Sequence, residues 1–549
     1  MSTVLGFVLL LVWCCTICLA VSSKAPVDVI LFKDSTLNST KVSVSALAGL
    51  KNRVDSRVMI VRTAADALWI SRLNVFDSFD PTYYSAEEYL SVHLENYSCL
   101  VYNEEQIEVM GPVISLAGVL NAVPLTESMH ALYPSCPILL NCSSVFATFT
   151  AESAVEWVRQ RYLNQTLSLA MQKNSDLEQG YLVDFIVARR LFVQYLPDGC
   201  LPETEDNKIL KELVAAAPWK RPVRVYGYNS LDPLFGGDLF EAETDCINVM
   251  GQVATEFATN LAFWSHFQPL SPGDVLLQPS PQPLRYDTNV SYVALVYGDM
   301  DNLDIVMTFG ADHMQYRAQQ CALQRGTSPC FPLTWTLSPN LIDLSPAVLK
   351  WFYSEASQSN GSDWFIMPPS GTLYSYPGMM PPEVQDEYVK DQTTQAVTMN
   401  TSGTVHWEWF FAWDAAWTSY FPKYLTGSET TRAFFLNDVP WVIPIPDMWL
   451  QGETYRFVGG YNRTNPVVGF RPAFNWMEGS SSGGLPNNAS DIAAMIGNFS
   501  PGSVQYVYMI QNTPVQSVFE MVSLLPNHVK LVGYQELVSL AVQRELLKR

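Results

Sequence analysis

The stretch that most constrains the fold is a short apolar run, Tyr292–Tyr297, which ends in a cluster of acidic residues. The run has the length of a strand and is apolar on both faces, as is typical of a strand covered by helices. Gly298 closes it, and the side chains that follow are Asp299, Asp301, Asn302 and Asp304. One of them is expected to cap the next helix, since Asx residues are preferred at that position. A single cap does not require four such residues, so we predict a functional role for Asp299 or Asp301.

Strand-like and helix-like segments alternate from Leu284 to the end of the chain, with about eight strands. Such alternation indicates parallel strands with covering helices. We therefore predict an α/β fold with a (β/α) TIM-like barrel over residues 284–549, distorted by the irregular stretch 438–487. Parallel barrels carry their chemistry at the carboxyl ends of the strands, which is where the acidic cluster lies.

The chain before the barrel reads as small α/β domains. We place them at residues 24–92, 93–165 and 166–268, followed by a proline-rich linker at 269–283. The apolar run from Cys246 to Phe267 is predicted to form one long helix.

The first 23 residues are almost wholly apolar and have the length of a secretory signal peptide. A signal anchor is the alternative, because the run is nearly long enough to span a bilayer. We favour cleavage, which leaves no membrane span and places the protein outside the cell or in the lumen of the secretory or endolysosomal pathway. Sequons for N-glycosylation support export, and the predicted sites are Asn38, Asn96, Asn141, Asn164, Asn289, Asn360, Asn400, Asn462 and Asn488.

Three of the ten cysteines lie in the predicted signal peptide, which leaves seven. In an oxidising compartment these are expected to form disulfides. The pairs closest in sequence are Cys321 with Cys330 and Cys136 with Cys142, and we predict both. Because seven is odd, at least one thiol is expected to stay free.

The charge balance argues against nucleic acid as a partner. The chain has 53 acidic and 32 basic residues, a net charge of −21, and no basic run, so it repels phosphate backbones. The acidic cluster does not fit the EF-hand pattern, because Leu303 and Gly310 stand where ligands belong. A metal-dependent deacetylase site would need histidines near the acidic cluster, and the chain has only six. We expect no metal and no other cofactor.

Carboxylates and aromatic side chains at strand ends suit glycoside hydrolysis, in which one acid protonates the leaving oxygen and a second attacks or activates water. The candidate catalytic residues are Asp299 and Asp301. Candidate contacts to a carbohydrate substrate are Asn302, Tyr374, Tyr376, Trp413 and Arg471. The alternative is a carbohydrate-binding or surface glycoprotein without catalytic activity.

A second segment, Ser370-Gly-Thr-Leu-Tyr-Ser-Tyr-Pro377, resembles the signature of the GxGYxYP family of glycoside hydrolases. The matching residues are Gly371, Tyr374, Tyr376 and Pro377. Leu373 replaces the second glycine. If that position required a positive φ, leucine would cost about 1 kcal/mol or more, so we expect a changed loop.

The acidic cluster also resembles that family, in its Asp-Gly-Asp-Asn segment, with Met300 in place of the glycine. The resemblance covers the C-terminal part of the chain best. It implies a barrel preceded by several small α/β domains, and glycoside hydrolase activity.

Overall fold

The structure is a computed structural model that describes residues 24–196, 198–199, 201, 203–227, 247–255, 257–324, 330–408, 412–427, 430–437, 453–478, 488–510 and 513–548. The predicted signal peptide lies outside these ranges. All nine predicted sequon asparagines lie within them and are exposed, so glycans could be attached there without disturbing the core. Their glycosylation stays a prediction.

The first sheet consists of three parallel strands in the order β2-β1-β3. These strands are β1 (Ala25–Leu31), β2 (Val58–Val61) and β3 (Phe79–Ser85). The accompanying helices are Asn38–Lys51, Ala64–Arg72, Val75–Ser78 and Ala86–His93. Thr63 and Asp66 form a capping box at the start of helix Ala64–Arg72, which satisfies backbone donors that the helix itself leaves unpaired.

The second sheet is also parallel, in the order β5-β4-β6. Its strands are β4 (Ser98–Tyr102), β5 (Ala122–Thr126) and β6 (Ile138–Asn141). Its helices are Met110–Leu120, Glu127–Leu132, Cys142–Val145 and Ala151–Tyr162.

The third sheet has four parallel strands in the order β10-β9-β7-β8. They are β7 (Leu169–Met171), β8 (Phe192–Val193), β9 (Val223–Gly227) and β10 (Met250–Ala254). The helices are Asn174–Glu178, Val183–Arg189, Glu205–Ala216 and Leu261–Trp264. The three sheets fall within the ranges predicted for the N-terminal domains, although the division into domains itself stays a prediction.

The long helix predicted between Cys246 and Phe267 is wrong. This stretch contains strand β10 and the short helix Leu261–Trp264 instead. Periodicity cannot separate a fully buried strand from a buried helix, and β10 is buried at all five positions. Asn260, at φ 57°, then turns the chain into the short helix.

The C-terminal region has two sheets. Strands β13-β12-β11-β19-β18 form the first, with β20 also paired to β11, and strands β14-β15-β17-β16 form the second. The strand bounds are β11 Ser291–Tyr297, β12 Leu333–Thr336, β13 Asp363–Ile366, β14 Gly403–Trp407, β15 Ala433–Asn437, β16 Tyr455–Val458, β17 Val467–Phe470, β18 Pro472–Trp476, β19 Val504–Met509 and β20 Val529–Leu531. Only β16 is antiparallel to its neighbour among these pairs.

Helices cover these sheets, as the alternating pattern predicts. Their bounds are Leu303–Ile305, Ala311–Leu323, Leu341–Leu344, Pro346–Ser357, Pro382–Thr398, Trp413–Ala415, Tyr424–Gly427, Ala489–Gly497, Val515–Ser523 and Tyr534–Leu547, with π-helical turns at Val306–Gly310 and Ala416–Tyr420. In the described part of the chain, no helix combines the length and the apolar character needed to cross a bilayer.

The predicted α/β class is present, but the TIM barrel is not confirmed, because the described strands do not form a closed sheet. The two C-terminal sheets meet at one isolated parallel bridge, Met367 with Thr404. Pro368 and Pro369 follow at once and have no N–H to extend the ladder. On the other side, only Arg471 separates β17, which pairs with β15, from β18, which pairs with β19.

Alternate residues of both sheets pack into one apolar core, which we call the inner cluster. It includes Tyr292, Ala294 and Val296 of β11, Val405 of β14, Phe435 of β15, Val468 of β17, and Tyr506 and Tyr508 of β19. The opposite faces of the same strands pack, together with the N-terminal sheets, into the larger main cluster. The carboxyl ends of the strands therefore surround the top of the inner cluster.

The cysteines confirm one predicted pair and contradict the other. Cys321 and Cys330 are bonded, with 5.4 Å between their Cα atoms. Cys136 is bonded to Cys99 rather than to Cys142, and Cys142 is a buried free thiol. Pairing of β4 with β6 brings Cys99 next to the start of β6, so sheet register and not sequence distance selects the partner.

We predict that removing the Cys99–Cys136 disulfide costs about 4 kcal/mol of unfolding free energy, from the chain entropy of a loop of this size. Urea unfolding of the double variant Cys99→Ser/Cys136→Ser measures this cost. Cys142→Ser is the control and should cost less, because it opens no loop. Peptide mapping without reduction provides an independent check, and a Cys136–Cys142 crosslink would contradict the assignment.

Candidate functional site

The acidic turn after β11 is positioned by a close contact with β19. A Cβ atom at Gly298 would lie only 2.0 Å from the Tyr508 hydroxyl oxygen, so glycine is required for this approach. The Tyr508 hydroxyl donates to Asp299 Oδ1 at 2.8 Å and accepts from the Asp299 N–H at 3.2 Å. Asp299 has φ 61°, in the left-handed region that Asp tolerates better than most residues. The carboxylate is thus held in one orientation at the strand end.

Burial raises the pKa of Tyr508 well above its ordinary value, and the negative charge of Asp299 raises it further. The phenol therefore keeps its proton at physiological pH and acts as a permanent donor to Asp299. Strand β12 supports the same turn, because Thr336 Oγ1 accepts from the Met300 N–H at 3.2 Å and donates to the Tyr297 carbonyl at 3.1 Å.

The other polar residues of the turn differ in burial and in the groups that they contact. Asn302 is the helix cap, and its side chain accepts from the Asp304 N–H at 2.9 Å. Asp301 is half-buried, whereas Asp299 is 7% exposed. Asp304 lies in the first helical turn and faces a different cavity, lined also by Asp66. The capping interpretation therefore accounts for Asn302 and leaves the two predicted catalytic carboxylates to be explained.

The signature loop bridges the two halves of the chain. Tyr374 and Gln252 of β10 exchange two backbone hydrogen bonds, at 2.9 and 3.0 Å, in an antiparallel bridge. Asn340 Nδ2 donates to the Thr372 carbonyl at 3.1 Å. The Tyr388 hydroxyl lies 3.0 Å from the carbonyl oxygens of both Ser370 and Leu373. The shape of the loop thus depends on residues from the third N-terminal sheet as well as from the C-terminal region.

Leu373 does not adopt the strained backbone that would make it costly. In the signature, Gly371 has a positive φ, 109°, and Leu373 does not. A Cβ at Gly371 would meet Gln392 Oε1 at 2.5 Å, and one at Gly251 would meet Leu373 Cβ at 2.8 Å. The leucine side chain therefore fits against a glycine of β10, and the φ penalty expected for its substitution is absent.

Of the three aromatic residues predicted to contact a carbohydrate, the structure brings only two together. Tyr374 and Tyr376 both belong to the inner cluster and are 8% and 0% exposed. The rings of Tyr374 and Trp407 pack edge-on, with 5.3 Å between their centroids. Trp413 is 2% exposed and belongs to the main cluster. The centroid of its ring lies 6.0 Å from that of the His406 ring. The two tyrosines thus share a cluster with Tyr508, and Trp413 does not.

Arg471, the last predicted contact, lies at the break between β17 and β18. Its side chain is half-buried, and its N–H donates to the Thr454 carbonyl at 2.9 Å. The roles assigned to Arg471, Asn302 and the tyrosines in binding sugar stay predictions.

Glu408 is a buried carboxylate that the sequence reasoning missed. It follows β14 directly and its side chain is fully buried. Glu408 Oε1 accepts from the Gly378 N–H at 2.6 Å and lies 2.9 Å from His406 Nε2. Burial lowers the pKa of His406 to about 3, so the imidazole is neutral and donates Nε2–H to Glu408. A charged residue directly after an apolar strand was the available signal, as it was for Asp299.

In the described ranges, no three His, Cys, Asp or Glu side chains are grouped so that they could hold a metal ion. The geometry at the strand ends instead defines an α/β protein with oriented carboxylates beside buried tyrosines.

Comparison with known proteins agrees with the sequence resemblance. Residues 289–542 match the model of the "GxGYxYP putative glycoside hydrolase C-terminal domain", which confirms the resemblance for this part of the chain. The match includes both the acidic turn and the signature loop. No curated protein matches the chain.

One solved structure is similar over nearly its whole length. It is described as "a putative hydrolase from Bacteroides thetaiotaomicron", with a TM-score of 0.72 and 20% identity over 95% of each chain. At this identity the likeness shows a shared fold, including the N-terminal sheets. A "putative polysaccharide deacetylase from Mycobacterium smegmatis" reaches a TM-score of 0.31 at 10% identity, over 49% of this chain and 95% of that chain, too low to indicate a common fold.

The Gly298–Tyr508 contact predicts a strong coupling between the two positions. Gly298→Ala should destabilise the protein because the new methyl group overlaps the phenol, and overpacking of this kind costs about 1–3 kcal/mol. In Tyr508→Leu the ring is gone, so Gly298→Ala should cost less there, with a coupling free energy of about 0.5–3 kcal/mol. Urea unfolding of the four proteins measures it. Gly273→Ala is the control, since a Cβ there meets nothing within 4 Å. If the effects of Gly298→Ala and Tyr508→Leu on the unfolding free energy were additive, the contact would be contradicted.

Acid stability should depend on His406. Its pKa is about 3 in the folded state against 6.5 ordinarily, so between these pH values the unfolded chain binds a proton that the folded chain does not. This contribution to stability is complete above pH ~6.5 and declines by about 1.4 kcal/mol per pH unit as the pH falls toward 3. His406→Gln, which keeps a donor for Glu408, should flatten the pH profile of the unfolding free energy in this window. A variant profile parallel to that of the wild type would contradict the assignment.

Proposed function

We propose that the protein is a glycoside hydrolase that uses carboxylates at the carboxyl end of β11 to cleave a carbohydrate substrate. The observation that carries the proposal is the Asp299 carboxylate, fixed by a phenol that keeps its proton, with Asp301 two residues further along the same turn. The family match covers this turn and the signature loop, and the matched domain is described as that of a "putative glycoside hydrolase".

The two carboxylates differ in ways that suit different roles. Asp299 is buried and accepts a hydrogen bond from Tyr508, which fixes its orientation and suits a nucleophile or a stabiliser of positive charge. Asp301 is half-buried and is our candidate for proton transfer to the leaving oxygen. Hydrolysis requires such a division of labour between two acids.

The same proposal includes a secreted, N-glycosylated protein and a distorted barrel. Exposure of the nine sequon asparagines supports glycosylation. The inner cluster, shared by both C-terminal sheets, and the Met367–Thr404 bridge support a barrel-like arrangement of the strands around one core.

After a screen of aryl glycosides and glycans has identified a substrate, Asp301→Asn and Asp299→Asn should each reduce turnover by about 10²–10⁴-fold. The melting temperature should change little, because Asn is close in shape to Asp and still offers an oxygen to Tyr508. Asp287→Asn is the matched control, since this exposed Asp precedes β11 and lies at the opposite end of the same strand. Turnover unchanged in both variants would overturn the catalytic assignment, and glycan binding without turnover would favour the carbohydrate-binding alternative.

A further inference from the structure

A cavity lies where the two halves of the chain meet. It has a volume of about 290 Å³ and is bordered by helix Ala64–Arg72, by the segment before and within helix Leu261–Trp264, and by the π-helical turn Val306–Gly310. Its lining includes Asp66, Trp69, Tyr181, Phe257, Trp264 and Asp304. We call it the Asp304 cavity.

The cavity is separate from the acidic turn. Asp299 contacts the inner cluster through Tyr508, whereas the residues around Asp304, Leu303 and Val306, belong to the main cluster with the N-terminal sheets. The Trp69 Nε1–H donates to the Met307 carbonyl at 2.7 Å. This bond connects the π-helical turn to helix Ala64–Arg72, which lines the cavity.

The carboxylate of Asp66 is fully engaged by protein donors. Its Oδ2 accepts from the N–H groups of Arg62 and Thr63, at 3.0 and 2.9 Å. Its Oδ1 accepts from the Thr259 hydroxyl and, at 3.3 Å, from Asn260 Nδ2. Asp66 therefore brings a fixed negative charge to the wall but has little capacity left for a ligand.

Two polar groups of the wall lack partners among the described residues. No side chain or backbone group there donates to the carboxylate of Asp304, which burial and the charge of Asp66 give a raised pKa. The Trp264 Nε1–H is buried without an acceptor, and the tryptophan is 1% exposed. An unpaired buried donor is unfavourable, so a ligand that supplies an acceptor removes this cost.

These groups together specify the chemistry of a ligand. The aromatic rings suit a flat apolar face, Asp304 suits a hydroxyl donor, and Trp264 needs an oxygen acceptor. A sugar ring offers all three, because each hydroxyl both donates and accepts. An organic cation would match the rings and Asp304 but would leave the indole N–H unpaired. The volume lies just below the range of about 300–1,000 Å³ that is usual for drug-sized ligands, which suits one ring.

We propose that the Asp304 cavity binds a single neutral pyranose ring, either as a free sugar or as the end of a glycan. Binding here goes beyond the proposed hydrolysis and does not require it. The hydroxyl groups of the ring donate to Asp304 and accept from Trp264, and the ring packs against the aromatic wall.

Titration calorimetry with glucose, galactose, mannose and xylose tests the proposal, with tetramethylammonium as the competing ligand. At least one sugar should bind saturably to the wild-type protein. Trp264→Phe keeps the ring but removes the donor, and Asp304→Asn removes the charge. Each should weaken binding by about tenfold, the loss expected for one good hydrogen bond.

Two matched controls lie outside the cavity. Trp351 packs on Trp69 at 5.2 Å without lining the cavity, and Asp312 lies on the helix that follows the π-helical turn. Trp351→Phe and Asp312→Asn should both keep the sugar affinity. Thermal unfolding of every variant establishes that the fold is intact.

The alternative outcomes each overturn the proposal. They are binding of none of the sugars, binding of tetramethylammonium alone, and sugar binding that Trp264→Phe and Asp304→Asn leave unchanged. Free sugar and glycan ends are distinguished by comparing a monosaccharide with its methyl glycoside and a longer oligosaccharide. Asp299→Asn separates this site from the proposed active site, because it should reduce turnover by about 10²–10⁴-fold and leave binding in the Asp304 cavity intact.

Discussion

The approach of Tyr508 to the backbone at Gly298 is the contact on which the acidic turn depends. A buried phenol can lie over the end of β11 only because position 298 has no Cβ. That phenol then orients Asp299 and is itself kept protonated by burial and by the charge of the same carboxylate. The phenol and the carboxylate thus orient each other at the end of β11.

Neutral donors satisfy the buried carboxylates in several parts of the molecule. Tyr508 donates a hydrogen bond to Asp299. A neutral imidazole and a backbone N–H donate to Glu408, and hydroxyl, amide and backbone groups donate to Asp66. Hydrogen bonds of this kind favour the charged form of a carboxylate. Asp363 differs, since it is buried against the guanidinium of Arg317 and contributes no net charge. This arrangement fits a chain with an excess of acidic residues and few charged groups overall.

The N-terminal sheets take part in both candidate sites. Strand β10 supplies Gln252, which pairs with Tyr374 of the signature loop, and Gly251, which makes room for Leu373. Helices and connecting segments that follow strands of the first and third sheets also supply most of the wall of the Asp304 cavity. The substitution of a signature glycine by Leu373 is therefore accommodated by a neighbour in another sheet and not by strain in the loop itself.

The features that could be predicted from the amino-acid sequence are those that local chemistry controls. Strand β11, the acidic turn, the Asn302 cap and the Cys321–Cys330 bond all depend on residues within a short segment, where apolar runs, capping preferences and loop closure act directly. Tertiary structure decided which distant segments meet. Register between β4 and β6 selected Cys99 for Cys136, β10 replaced an expected helix, and the prolines after β13 limited its pairing with β14. The contact of Glu408 with Gly378 and the shared cavity of Asp66 and Asp304 likewise follow from packing between distant segments, because the free energy of such contacts depends on shape and burial in three dimensions.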